Sequence, residues 1–266
     1  MRTPRKILFS RLLLLALVLS PASIPSLAKD AGARERVFFL HGLGRSSASM
    51  FLLKLRLEKQ GFEVISKDYA STEAGIDDHV EWLAGELESC CRDEGRRLHF
   101  VTHSIGGIVL RAYLEKHDLP ALGRVVMLAP PNRGSELADF LSGWSVYQMA
   151  VGPSGQEIGT DDASVPNLLG PVDFDLGVIA GERSINPFYS SIIPGPDDGK
   201  VSVERARVEG MSDFLVVRHS HTFIMNSSEV AGQIETFLRT GAFTRGELEL
   251  EPEKIEEEKH GDPAQR

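Results

Sequence analysis

The chain has 266 residues and a formal net charge of −9, with 42% hydrophobic and 25% charged residues. That composition supports a packed core and argues against a disordered chain. With no basic patch it gives a nucleic-acid partner no electrostatic footing.

The chain opens on what reads as an export signal over residues 1–28. Arg2, Arg5 and Lys6 form a basic start, residues 12–19 are almost wholly apolar, and Ser26-Leu27-Ala28 fits the small-x-small pattern of a signal peptidase site. The apolar run is short for a permanent membrane span. A periplasmic or secreted product is expected, with an uncleaved N-terminal anchor as the alternative. Residues 29–245 are expected to form one domain.

Within that domain strands and helices alternate. Residues 36–40 are a short apolar strand ending at His41-Gly42, and residues 46–60 have helical spacing that Gly61 stops. Residues 62–67 read as a second strand, 75–92 as a helix with Ile76, Val80, Leu83 and Leu87 inward, and 98–103 as a third strand. The helix over 105–117 follows at once, and residues 124–129 form a fourth strand ending in Pro130-Pro131. Four such units in a row predict an α/β domain with a mostly parallel sheet and helices on both faces. The near-continuous apolar strands fit burial on both sides. Residues 174–180 and 214–217 supply further strands, and 230–238 the last helix.

Residues 142–171 read as a long loop rich in Gly, Pro and Ser, and such loops are usually functional or mobile. Cys90 and Cys91 are adjacent, closer than ordinary disulfide geometry prefers, so two free thiols are expected there. Beyond residue 245, eight acidic residues face Lys254, Lys259 and Arg266, a balance of −5. Residues 246–266 therefore read as a solvated, unstructured acidic tail.

The strongest chemical signal is Thr102-His103-Ser104-Ile105-Gly106-Gly107, set between a buried strand and a helix. A serine at that junction sits on a sharp turn at a helix N-terminus, with its hydroxyl lifted above the sheet. Small residues are needed two positions either side. Gly106 meets that demand, and Thr102 departs from it. His41-Gly42-Leu43-Gly44 at the end of the first strand is a second signal. Acyl transfer puts negative charge on a carbonyl oxygen, and two backbone N–H groups stabilise it. Those of Leu43 and Ile105 are the candidates for this oxyanion hole. A serine nucleophile also needs a base oriented by an acid. His219 and His221 both follow the last strand, and His221, further into the loop, is preferred. Asp198 is the preferred acid, with Asp197 as its competitor. The chain order is then Ser, Asp, His.

These segments, with Ala129-Pro130-Pro131-Asn132-Arg133-Gly134-Ser135, Asp198-Gly199-Lys200-Val201 and His221-Thr222-Phe223, resemble bacterial lipase/esterase members of the α/β-hydrolase superfamily. The resemblance spans residues 36–238. It implies a single α/β-hydrolase domain in which Thr is a known variant at the first elbow position. A Ser-His-Asp triad of Ser104, His221 and Asp198 would cleave carboxylic esters without metal or cofactor. It also implies that residues 142–171 act as a small lid or acyl-binding wall. A lipid-like ester substrate, transient contact with a membrane surface and a monomeric state are expected. The rival readings are a phospholipid, thioester or amide substrate, acyl transfer, and a catalytically silent binding domain.

Overall fold

The computed structural model describes residues 34–92 and 95–245. The expected signal over 1–28 and the acidic tail over 246–266 lie outside the described residues. The elements run β1 (Arg36–Leu40), a 3-10 turn (Ser47–Met50), α1 (Phe51–Lys59), β2 (Glu63–Ser66), α2 (Ile76–Cys90), β3 (Leu98–His103), α3 (Ile105–Lys116) and β4 (Leu122–Leu128). They continue with α4 (Glu136–Leu141), α5 (Ser145–Gln156), α6 (Val165–Leu168), β5 (Leu176–Gly181), α7 (Pro187–Ser190), β6 (Asp213–Val217), a second 3-10 turn (Ile224–Asn226) and α8 (Ser228–Thr240).

The six strands form one sheet in the order β2-β1-β3-β4-β5-β6, with every pairing parallel. Side chains along each strand alternate between two apolar layers, as the period of two requires. Phe38, Leu40, Phe100, Val125, Met127 and Val178 point to one face, where they meet α2 and α3 residues such as Val80, Leu83, Ile108 and Val109. Val37, Phe39, Val101, Val126, Leu128 and Ile179 point to the other, against Leu53 and Leu57 of α1 and Ile234 and Phe237 of α8. Helices thus cover both faces, and β1, β3 and β5 are buried throughout.

This order has a consequence for the site. After β2 the chain returns to the other side of β1, so β1 and β3 are neighbours whose connections leave in opposite directions along the sheet. In open parallel sheets the crevice at such a switch point is where ligands bind. The loop after β1 and the turn after β3 both open there.

Two expectations are corrected. Residues 142–171 are not one long loop: α5 and α6 occupy much of it. Gly152 (φ 64°, ψ −168°) and Pro153 break the helical repeat inside α5, which hides it from a periodicity reading. Cys90 and Cys91 are joined by a disulfide rather than free. The chain leaves α2 at Cys91 (φ −133°, ψ 21°), and this departure from helical geometry lets adjacent sulfurs meet.

Candidate active site

β3 ends at His103 and α3 begins at Ile105, so Ser104 alone turns the chain. Its backbone lies at φ 55° and ψ −128°, a region that costs a non-glycine residue about 1–3 kcal/mol. Its N–H donates to Leu128 O of β4 at 2.9 Å, and its carbonyl accepts from Gly107 N–H at 3.0 Å. The turn presses α3 onto the end of β1. A Cβ on residue 106 would lie 2.7 Å from Leu40 O and 2.9 Å from His41 O, which is why glycine is required there. Thr102, where glycine is usual, is accommodated from the opposite side. A Cβ on residue 107 would come 3.2 Å from Thr102 Oγ1 and 3.1 Å from Met127 Sδ. The second glycine supplies space that the first position lacks.

Asp198 lies in the connection between β5 and β6, and His221 in the loop leaving β6. His221 Nε2 is 3.0 Å from Ser104 Oγ, and His221 Nδ1 is 2.8 Å from Asp198 Oδ2. The second Asp198 oxygen accepts from the N–H groups of Lys200 and Val201, both at 2.9 Å. The His221 N–H donates to Asp198 O at 2.9 Å, so backbone and side chain hold the pair together. All three residues are buried. An acid with both oxygens occupied keeps one orientation, and it directs the proton of the imidazole onto Nδ1, leaving Nε2 to accept from the serine.

The two competitors face elsewhere. Asp197 Oδ1 accepts from Ser190 Oγ at 2.9 Å and Gly199 N–H at 2.7 Å, closing its own turn. His219 lies 3.3 Å from Glu229 and is partly exposed.

The loop 41–45 reaches over the elbow. A Cβ on residue 42 would lie 2.6 Å from His103 Nδ1 and 3.1 Å from Ser104 Cβ, so only glycine allows this approach. Arg45 N–H donates to Gly42 O at 3.2 Å and closes a turn around Leu43, whose own N–H has no acceptor among the described residues. Ile105 opens α3, so its N–H has no carbonyl one turn before it. Tyr69 and Ser71 brace the loop. Tyr69 Oη donates to His41 O at 2.7 Å, its N–H donates to His41 Nε2 at 3.3 Å, and Ser71 Oγ accepts from Gly44 N–H at 3.0 Å. The His41 and Tyr69 rings stack at 4.3 Å. Burial holds the His41 imidazole below its ordinary value, so it braces the loop as a neutral ring.

Solved structures share this arrangement of elements. The chain is similar to the lipase BlEst2 of Bacillus licheniformis in its mature form, at 21% identity over 82% of this chain and 96% of that one, with a TM-score of 0.64. It is similar to the phospholipase PlaB of Legionella pneumophila, at 19% identity over 79% of this chain and 60% of that longer one, with a TM-score of 0.63. It is also similar to the metagenomic carboxyl esterase MGS0156, at 20% identity over 79% and 71%, with a TM-score of 0.55. No protein-family model matches the chain, and no curated protein does. The fold is that of the α/β-hydrolases.

In this fold a cavity of about 190 Å³ opens at Ser104. Leu137 and Leu141 of α4, Tyr147 and Val151 of α5, and Ile158 form its apolar wall, while Arg45 and Lys200 supply its cations. Burial, with Asp139 and Tyr189 nearby, pushes the Tyr147 hydroxyl up to about 12. The segment after the kink in α5 is docked rather than loose. Ser154 Oγ donates to Ser71 O at 2.6 Å, and Glu157 Oε2 accepts from Ile76 N–H at 2.7 Å at the start of α2.

Several functional positions were not singled out from the residues alone. His103 reads there as part of the elbow backbone. Its Nε2 lies 2.9 Å from His221 O, and a carbonyl partner requires the N–H on that nitrogen. Its ring is fully buried, and loss of solvation, then the neighbouring His221, holds it well below its ordinary value. A neutral His103 therefore ties the elbow to the loop carrying His221. Ser135, in the Pro-Pro-Asn-Arg-Gly-Ser string, donates to Lys200 O at 2.7 Å and accepts from Ala138 N–H at 3.3 Å. It thereby fastens the Asp198 loop to the start of α4. The signal in both cases is a polar residue inside a motif whose partner lies far along the chain.

Proposed function

We propose that the protein is a serine hydrolase that cleaves carboxylic esters through Ser104, His221 and Asp198. The observation that carries this reading is the unbroken hydrogen-bonded line Ser104 Oγ, His221 Nε2, His221 Nδ1, Asp198 Oδ2, ending on a serine held at a strained positive φ. The lipase, phospholipase and esterase named among the similar structures support ester hydrolysis in general.

In the first half of the reaction Ser104 Oγ bonds to the ester carbonyl carbon as its proton passes to His221 Nε2. The N–H groups of Leu43 and Ile105 stabilise the charge on the carbonyl oxygen. The carbon–oxygen bond to the alcohol breaks, and the leaving oxygen takes the proton from Nε2. Water then attacks the acyl carbon, gives a proton to Nε2, and the Ser104 bond breaks with Oγ reprotonated. Asp198 stabilises the imidazolium formed in each half.

Residues 142–171 serve in this reading as the wall of the acyl site, since Tyr147 and Val151 line the cavity. Phe140, Trp144, Val146 and Met149 are exposed on the same segment and its approach, an apolar surface suited to transient contact with lipid. Export through the 1–28 segment completes the proposal. A disulfide between Cys90 and Cys91 suits an oxidising compartment.

The test is intact mass after treatment with a fluorophosphonate, on the wild type and on Ser104→Ala. One stoichiometric adduct on the wild type alone supports an activated Ser104. Folded wild-type protein that takes no adduct, with or without detergent, rejects it.

A further inference from the structure

The chain carries a net charge of −9, yet no carboxylate lines the cavity at Ser104, while Arg45 and Lys200 both do. Cations on an acidic protein normally find acidic partners, and many here do: Arg205 pairs with Glu136, Lys116 with Asp77 and Arg239 with Glu235. Arg45 and Lys200 have no ion-pair partner among the described residues. The nearby carboxylate is Asp198, and both of its oxygens are taken by His221 and the N–H groups of Lys200 and Val201.

Both residues are fixed at the backbone beside the reacting groups. Arg45 closes the turn that surrounds Leu43, and Ser135 holds the Lys200 carbonyl. Although Lys200 as a residue is exposed, its ammonium is held below its ordinary value, first by loss of solvation and then by Arg45, with Asp198 acting in the opposite sense. Two cations that repel each other, with Asp198 already engaged by His221 and no ion pair of their own among the described residues, are better accommodated when an anion lies between them. Leu137, Leu141, Val151 and Ile158 line the same cavity.

Resting on the hydrolase reading, we infer that the ester this site takes is an anionic amphiphile, whose carboxylate or phosphate is held by Arg45 and Lys200 while its apolar arm fills the wall beneath α4 and α5. Both anions share the chemistry that recognises them: oxygens able to accept from a guanidinium and an ammonium at once.

The test compares kcat/KM within two matched pairs: p-nitrophenyl butyrate against mono-p-nitrophenyl glutarate, for the carboxylate, and propyl butyrate against the butyryl ester of 3-hydroxypropyl phosphate, for the phosphate. The full chain is assayed beside Arg45→Gln and Lys200→Gln, each checked for unchanged melting. At least one charged ester is expected to be preferred about tenfold. That preference should shrink in each variant and with added salt, and the ester that shows it identifies the anion. Equal use of neutral and charged esters by the wild type overturns the inference, as does a preference that survives both substitutions. Should no ester turn over, calorimetry on Ser104→Ala with hexanoate, hexyl phosphate and hexan-1-ol decides it. Binding of an anion but not the alcohol, lost in Arg45→Gln, upholds the inference, and equal binding or none rejects it. Fluorophosphonate labelling reports separately on the hydrolase reading.

Discussion

At the scale of single residues, the chemistry depends on a few contacts that bring distant segments within hydrogen-bonding range. Ser104→Ala should lower ester turnover by about 10⁴- to 10⁶-fold, and Asp198→Asn by about 10⁴-fold, because the amide no longer selects the tautomer that leaves Nε2 bare. Steady-state kinetics on p-nitrophenyl butyrate reads both. His103 is a positioning residue: it is hydrogen-bonded to the His221 carbonyl at 2.9 Å, with the two rings tilted at a centroid distance of 4.9 Å. His103→Phe preserves bulk and removes the hydrogen bond. It is expected to lower kcat by about 10- to 100-fold, as a displacement of about 1 Å can do, with KM little changed. His103→Gln, which can still donate, should recover part of the loss. An unchanged kcat in folded His103→Phe would mean that the contact does not set the position of His221.

At the scale of elements, α5 is where local and tertiary preferences conflict. Gly152 takes φ 64°, and a Cβ there would lie 1.6 Å from Thr72 O. The kink therefore presses the second half of α5 directly on the segment before α2. That segment includes Ser71, which braces Gly44, so the wall of the cavity and the loop around Leu43 are mechanically joined. Gly152→Ala should displace the wall. The expected result is a lower kcat/KM that falls further as the acyl chain of a p-nitrophenyl ester lengthens, with little effect on fluorophosphonate labelling. A uniform loss across chain lengths would place the effect at the reacting groups instead.

At the scale of the whole molecule, the double-faced core sets stability and the buried histidines set its pH dependence. Phe100 is fully buried at the centre of the sheet, and Phe100→Ala should cost about 3–5 kcal/mol, read from urea denaturation. His41, His79, His99 and His103 are all held below the ordinary value of 6.5, each chiefly by loss of solvation. They stay neutral in the folded protein where the unfolded chain already binds protons. Stability from this source is therefore present above 6.5 and falls as the pH drops below it. Melting temperatures measured between pH 7.5 and pH 5 should decline on the acid side. The decline should be smaller in His79→Gln, which removes one of the four groups.

Features under the control of local pattern can be read along the chain. The strand-to-helix junction at Ser104 is legible because a buried strand and a helix meet across one residue, and the glycines of 42–44 and 106–107 mark where backbone must approach backbone. The parallel sheet follows from the same alternation. Tertiary structure decided what depends on residues far apart in the chain. Asp198 rather than Asp197 meets His221 because the connections leaving β5 and β6 converge over Ser104, and a shift of one residue in a turn redirects a side chain. The helical α5 was hidden by a kink at Gly152, which packs on Thr72 eighty positions away. The pairing of Arg45 with Lys200 beside an uncharged wall joins two loops 155 residues apart, a proximity that only the folded sheet creates.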